Sequence, residues 1–299
     1  MKGNIYKITD NVYLIDTLGL GFEKTIACYL VKSNKIALID TGYASSYLNV
    51  IEAIKSINID FNEINYIIPT HLHLDHSGAT SYLLQHMSKA KVIAHKRAFK
   101  HLIDPTKLIE SVKELYGENK LRLFGIPLPI NEERIEVVEE ELELNLGDIN
   151  LLCIYSPGHA PHQITVLIRE LGMLATADSV GVIYPDLNIM IPTTPPPSFD
   201  ANLAIDTLEK LAKLQPKTLL IPHFGIRNDV EDVFNNTKIK IKEWIDLIKY
   251  FKGQGLNAES IFLEIIKKIS KELSKELPIY TKELIRVSVL GILKYLERI

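Results

Sequence analysis

Apolar runs in this chain are short, and five of them stop on a histidine or an aspartate. The run at 35–39 ends on Asp40, 67–70 on His71, 151–158 on His159, 173–177 on Asp178 and 218–222 on His223. Runs of four to six apolar residues bounded by proline, glycine or polar groups suit strands buried on both faces. Between several of them lie segments of helical period, at 46–57 and 201–214. Residues 1–10 alternate like a further strand, with no apolar run behind a basic start. The pattern predicts an α/β fold, in which functional groups collect where strands end.

From residue 229 the pattern changes. Segments 229–251, 258–273 and 281–299 read as amphipathic helices, separated by Gly253-Gln254-Gly255 and by Pro278. The last is apolar along Leu284, Ile285, Val289, Leu290, Ile292, Leu293 and Leu296, so it must dock on something. The expected organisation is a catalytic domain over 1–228 and a helical segment over 229–299. That segment either covers the site as a lid, the reading we favour, or pairs two copies as a homodimer.

The strand-end residues carry the chemistry. Residues 71–76 read His71-Leu72-His73-Leu74-Asp75-His76, four metal-competent side chains in six positions. Such spacing arises by chance in roughly one in a few thousand chains of this length and histidine content. Three imidazoles and a carboxylate at a strand end need water or a cation to satisfy them. His159, Asp178 and His223 bring the candidate ligands to seven, too many for one tetrahedral ion, which takes about four. Asp40 reads as an acceptor that holds a ligand imidazole by its other N–H, or else as a turn residue before Gly42. His162 reads as a similar supporting group or a surface histidine, and His95 as a neighbour of the same edge. His86 and His101 read as solvated. Cys28 and Cys153 lie in apolar runs and read as buried strand thiols, which leaves no thiolate to force zinc.

Thr70-His71-x-His73-x-Asp75-His76, Pro157-Gly158-His159, Asp178, His223 and the earlier Asp40-Thr41-Gly42 together resemble the metallo-β-lactamase superfamily, in its order and approximate spacing over residues 5–228. The resemblance implies a four-layer αβ/βα sandwich of two mixed sheets with the site on one edge, followed by the C-terminal helices. It implies two divalent transition metals, zinc foremost, with iron or manganese as alternatives. His71, His73 and His159 would hold the first, and Asp75, His76 and His223 the second, with Asp178 bridging. Asp75 and Asp178 are the carboxylates it assigns to catalysis. Two cations sharing a hydroxide lower its pKa from about 15.7 towards 7. The implied activity is hydrolysis of a small ester, thioester or lactone. Alternatives on the same motif are a phosphodiesterase or nuclease, a mononuclear-iron persulfide dioxygenase, and a ligand-binding regulator with vestigial hydrolysis.

Composition trims these classes. Charged residues make up 24% of the 299 and the net charge is −3, which argues against an extended basic footprint for nucleic acid. Residues 229–299 carry 13 Lys and Arg against 11 Asp and Glu, so the helices offer no basic channel. No stretch approaches membrane-span length, and the chain reads as a cytoplasmic protein with a small-molecule substrate. Its Ile, Lys and Glu content suggests a thermophilic source. Substrate choice falls to the loops. Candidate pocket residues are Phe124 and Leu128 in an apolar, proline-punctuated stretch at 121–130, Tyr184 near the proline cluster at 192–197, and Phe224 beside His223.

Overall fold

The computed structural model describes residues 4–184, 187 and 189–299. The chain divides into two compact units. The first comprises residues 1–156, 162–177 and 216–228, and the second 157–161, 178–215 and 229–299.

Two mixed sheets make up the first unit. One has seven strands in sequence order: β1 (Ile5–Lys7), β2 (Val12–Asp16), β3 (Ala27–Lys32), β4 (Ile36–Ile39), β5 (Ile64–Ile68), β6 (Lys91–His95) and β7 (Ile135–Val138). The pairs β1 to β4 run antiparallel and β4 to β7 parallel. The other joins β8 (Glu141–Asn145), β9 (Asn150–Tyr155), β10 (Ile164–Ile168) and β11 (Met173–Ala175) to two later strands, β14 (Thr218–Ile221) and β15 (Gly225–Arg227), in the order β15-β14-β11-β10-β9-β8. Only β11 and β14 are parallel there.

Side-chain alternation explains why these strands are apolar throughout. In β3, Ala27, Tyr29 and Val31 face the second sheet, where they meet Leu151, Cys153, Val166 and Leu220. Cys28 and Leu30 face the other way and pack with Val50, Ile51 and Ile54 of helix α1 (Tyr47–Ser56). Leu38 and Ile39 of β4 divide between the same two cores. A strand covered on both faces has no polar side to show. Trimming Leu38, which is fully buried, would cost about 2–5 kcal/mol.

Five more helices belong to this unit: α2 (Leu74–Ser77), α3 (Thr80–His86), α4 (Phe99–Ile103), α5 (Thr106–Tyr116) and α6 (Glu118–Phe124). Asp104 accepts from the Thr106 amide at 3.1 Å and so starts α5. The apolar, proline-punctuated segment from 121 begins as helix, as far as Phe124. Gly117 and Gly125, both at positive φ, bracket this helix of about two turns.

The second unit holds the hairpin β12 (Val182–Ile183) and β13 (Met190–Ile191), then helices α7 (Ala201–Ala212), α8 (Val230–Gly253), α9 (Ala258–Leu273) and α10 (Ile279–Leu296). Asp200 and Asn257 cap α7 and α9 by accepting the amides of Leu203 and Ser260. Among the described residues no helix is long and apolar enough to cross a membrane.

Candidate metal centre

In the first unit the ligands ride on a short excursion between β5 and α3. The chain leaves β5 at Ile68, passes through Thr70 and His71, and turns into the single helical turn α2 that carries Asp75 and His76. Asp40, at the end of β4, holds this excursion from beneath. Its backbone sits at φ 59°, a conformation that aspartate tolerates better than most residues. One carboxylate oxygen accepts the Thr70 amide at 2.8 Å, and the other meets His76 Nδ1 at 2.9 Å. Thr41 then donates its amide and its hydroxyl to the His76 carbonyl, both at 2.8 Å.

A carboxylate can only accept, so His76 Nδ1 carries a proton, and in the neutral ring Nε2 is the atom with the lone pair. That lone pair faces the Asp75 carboxylate, 3.6 Å away, and His223 Nε2 lies 3.7 Å from the same oxygen. Asp75, His76 and His223 each present one ligand atom within 4.8 Å of the others. His71 Nε2 and His73 Nδ1 converge to 2.9 Å.

His223 sits in the tight turn from β14 to β15. Tyr29 reaches it across the interior of the sandwich, its hydroxyl meeting the carbonyls of Ile221 at 2.8 Å and Gly225 at 2.7 Å. The Ala27 amide takes the intervening Pro222 carbonyl at 2.7 Å. These contacts hold a turn in which Phe224 adopts φ 90°. Burial pushes the Tyr29 phenol well above its ordinary range, so it stays protonated and able to donate.

In the second unit His159 and Asp178 stand together, His159 Nε2 lying 3.4 Å from an Asp178 oxygen. The Thr193 carbonyl accepts from His159 Nδ1 at 3.0 Å, fixing the tautomer whose Nε2 lone pair is available. The Thr193 hydroxyl donates to the Asp178 carbonyl at 3.1 Å. Helix α7 secures the approach to His159. Thr207 donates to the Pro157 carbonyl at 2.6 Å, and the Asp200 amide to the Gly158 carbonyl at 2.8 Å. Gly158, at φ 130°, lies so close to the Ala204 backbone that a Cβ there would collide.

The seven predicted ligands are thus imidazoles and carboxylates. Two of the imidazoles are oriented by acceptors, Asp40 and the Thr193 carbonyl, behind the donor atom. That donor chemistry suits zinc, iron or manganese, and the number of ligands suits a dinuclear site.

The remaining candidates lie as follows. His162 accepts weakly from the Leu72 amide at 3.4 Å, with its ring centroid 6.4 Å from those of His71 and His73. His95 is buried and stacked on Tyr155 at 4.1 Å. Burial and the Arg97 guanidinium hold its pKa down, so it stays neutral near pH 7. His86 is exposed beside Tyr47 and Phe61. His101 is half-buried and lines a shallow recess with Ser77, Ser81 and Leu128. Phe124 is buried and stacked on Tyr43 at 4.9 Å. Tyr184 is buried with its ring edge-on to Tyr280 at 5.0 Å. Phe224 is half-buried against the core between the sheets and edge-on to Tyr6. Thr193 and Tyr29 were not foreseen. A tyrosine hydroxyl inside the apolar run 26–31 was the one available signal, because a buried phenol needs a partner.

Two mixed sheets, flanking helices and strand-end histidines define a class, and comparison with known proteins gives its name. The family model of the metallo-beta-lactamase superfamily matches residues 22–223, and the chain belongs to that superfamily. Among curated proteins, the metallo-beta-lactamase fold-containing protein ST1585 of Sulfurisphaera tokodaii is 31% identical over 212 residues, covering 69% of this chain and 75% of the relative. A protein of Methanocaldococcus jannaschii named "Probable metallo-hydrolase MJ0888" is 28% identical over 160 residues, covering 54% of this chain and 69% of its own. Among solved structures, ST1585 from Sulfolobus tokodaii aligns over 97% of this chain and 100% of its own, with a TM-score of 0.71 at 24% identity. That likeness shows a shared fold, C-terminal helices included.

Proposed function

We propose that this protein is a dinuclear metal-dependent hydrolase acting on a small ester, thioester or lactone. His71, His73, His159 and Asp178 would hold one divalent cation, and Asp75, His76 and His223 the other, with Asp178 shared. The observation that carries the reading is the tautomer of two ligands. Asp40 and the Thr193 carbonyl occupy Nδ1 of His76 and His159, so each Nε2 is ready to bind a cation without first losing a proton.

When bound, two such cations supply a water of lowered pKa and a Lewis acid for the substrate oxygen. The chain's own groups set the conditions for that chemistry. Asp75 and Asp178 offset the positive charge that the centre would carry. Asp75, the more open of the two, can take up the proton released as water attacks. Asp40 keeps His76 aimed through the reaction.

The near balance of charge in residues 229–299 favours a small substrate over a polyanion. The name of the M. jannaschii relative is in keeping with hydrolysis. Zinc is the metal we favour. The test is a panel of p-nitrophenyl esters, thioesters, lactones and bis-p-nitrophenyl phosphate, assayed with metal-replete protein. The expected result is turnover of an ester, thioester or lactone that His71→Ala, Asp178→Ala and His223→Ala each abolish. Preference for the phosphodiester would overturn the substrate class.

A further inference from the structure

Helix α10 makes contacts with the segment that follows Asp178. The segment 192–199 runs along α10 and is tied to it at several points. Ser288 donates its hydroxyl to the Pro192 carbonyl at 2.9 Å, and Thr194 donates its own to the Ser288 carbonyl at 2.9 Å. All the groups involved are buried. One turn further on, Gly291 lies against the Thr194 carbonyl so closely that a Cβ would overlap that oxygen. Past the helix end, Arg298 donates to the carbonyls of Pro197, at 2.8 Å, and Phe199.

The residue between Pro192 and Thr194 is Thr193. It orients His159 through its carbonyl and holds the Asp178 backbone through its hydroxyl. Its two neighbours are therefore each fastened to α10. Helix α8 approaches the segment after Asp178 from another side, the Thr237 hydroxyl lying 3.2 Å from the Val180 carbonyl while it donates to Val233 at 2.7 Å. A carbonyl that selects a histidine tautomer must be placed to within a few tenths of an ångström, since hydrogen bonds weaken steeply with distance and angle. A lone surface strap of prolines has no such definition. One bound on both sides of Thr193 to a buried helix face does.

We propose that α10 is a brace for the metal centre, with Ser288 and Gly291 as positioning residues that set His159 and Asp178 through Thr193. The proposal rests on the dinuclear reading above and deepens it. The C-terminal helices are then part of the ligand scaffold, a role separate from that of a lid or a dimer interface. Changes behind metal ligands cost about 10–100-fold in metal affinity. Disturbing the face of α10 beneath Thr193 should have that effect on the ion held by His159, whose imidazole Thr193 orients, and a smaller one on the ion that shares only Asp178 with it.

The experiment compares wild type, Ser288→Ala and Gly291→Ala as full-length zinc-loaded proteins, stripped by a graded chelator while released zinc is counted. His159→Ala and His223→Ala mark which release step belongs to which ion. Gly291→Ala forces the strap away from the helix. Ser288→Ala removes one hydrogen bond at nearly constant volume and stands in should the glycine variant fail to fold. The expected result is a shift of about tenfold or more in the step that His159→Ala removes, clearly larger than any shift in the step marked by His223→Ala. In metal-free protein, imidazole ¹⁵N spectra should show the His159 Nδ1–H tautomer in wild type and its loss in Gly291→Ala. Unmoved release steps with an unchanged His159 tautomer in both folded variants would overturn the brace. So would an equal loss of both ions, which marks a merely structural change. Wild type that holds fewer than two ions would instead count against the dinuclear reading. The tautomer comparison would then decide the brace by itself.

Discussion

Asp40 receives the Thr70 amide on one oxygen and the His76 ring on the other, so one carboxylate fixes both the path of the ligand excursion and the protonation of a ligand. Asparagine has nearly the same shape but carries hydrogens on one of those two atoms. Asp40→Asn can still accept from Thr70, yet its NH₂ would face His76 Nδ1 and favour the tautomer that puts the proton on Nε2. The expected outcome is a loss of about 10–100-fold in affinity for the ion held by Asp75, His76 and His223, read by chelator competition. Thermal unfolding of the metal-free protein should change by far less than Asp40→Ala would cause, because the buried Thr70 amide keeps its acceptor. Equal affinities in Asp40→Asn and wild type would mean that the carboxylate does not select the tautomer.

At the scale of elements, strands and long helices were legible and the supports between them were not. Helix 258–273 was read to the residue, and the strand starting at 218 was found although its run was carried one residue past Ile221, because each has a clear apolar run and a polar boundary. The placement of Cys28 and Cys153 inside β3 and β9 followed from the same runs. The candidate ligands, which cluster in two groups, stood out because histidine is rare and seldom left without a partner at a strand end. Thr193 was invisible because what it contributes is a carbonyl, which every residue has. The chain path alone puts it beside His159. Tyr29 was hidden because its partners are main-chain atoms almost two hundred positions away. The helix at 118–124 was missed because the flanking prolines outweighed a period too short to register.

The loop after β2 is a case where the supporting group is titratable. Asp16 is buried and accepts the amides of Leu18 at 3.0 Å and Lys24 at 2.8 Å, closing the loop on itself. Its pKa is raised above 3.8, first by burial, against the pull of those two amides. A raised carboxyl favours the fold when protonated. Its stabilising contribution is complete below the unfolded value of 3.8 and is lost as pH rises through the folded value. Urea unfolding of wild type and Asp16→Asn should therefore show the stability of wild type relative to the variant falling as pH rises through that acid window. A relative stability that rises with pH there would contradict the assignment.

For the whole molecule, membership of the metallo-beta-lactamase superfamily and the seven strand-end ligands make one claim, a centre built for two cations. The ligands come from elements spread over 150 residues of chain, so metal content is a property that no single segment can supply. The residues expected at a substrate pocket, Phe124, Tyr184 and Phe224, pack on Tyr43, Tyr280 and Tyr6, and an apolar side chain carries little record of what it binds. Elemental analysis of the purified, metal-replete protein tests the claim most directly, with His159→Ala and His223→Ala alongside. The account predicts close to two transition-metal ions per chain in wild type and close to one in each variant. One iron and no zinc in wild type, or two ions retained in either variant, would contradict it.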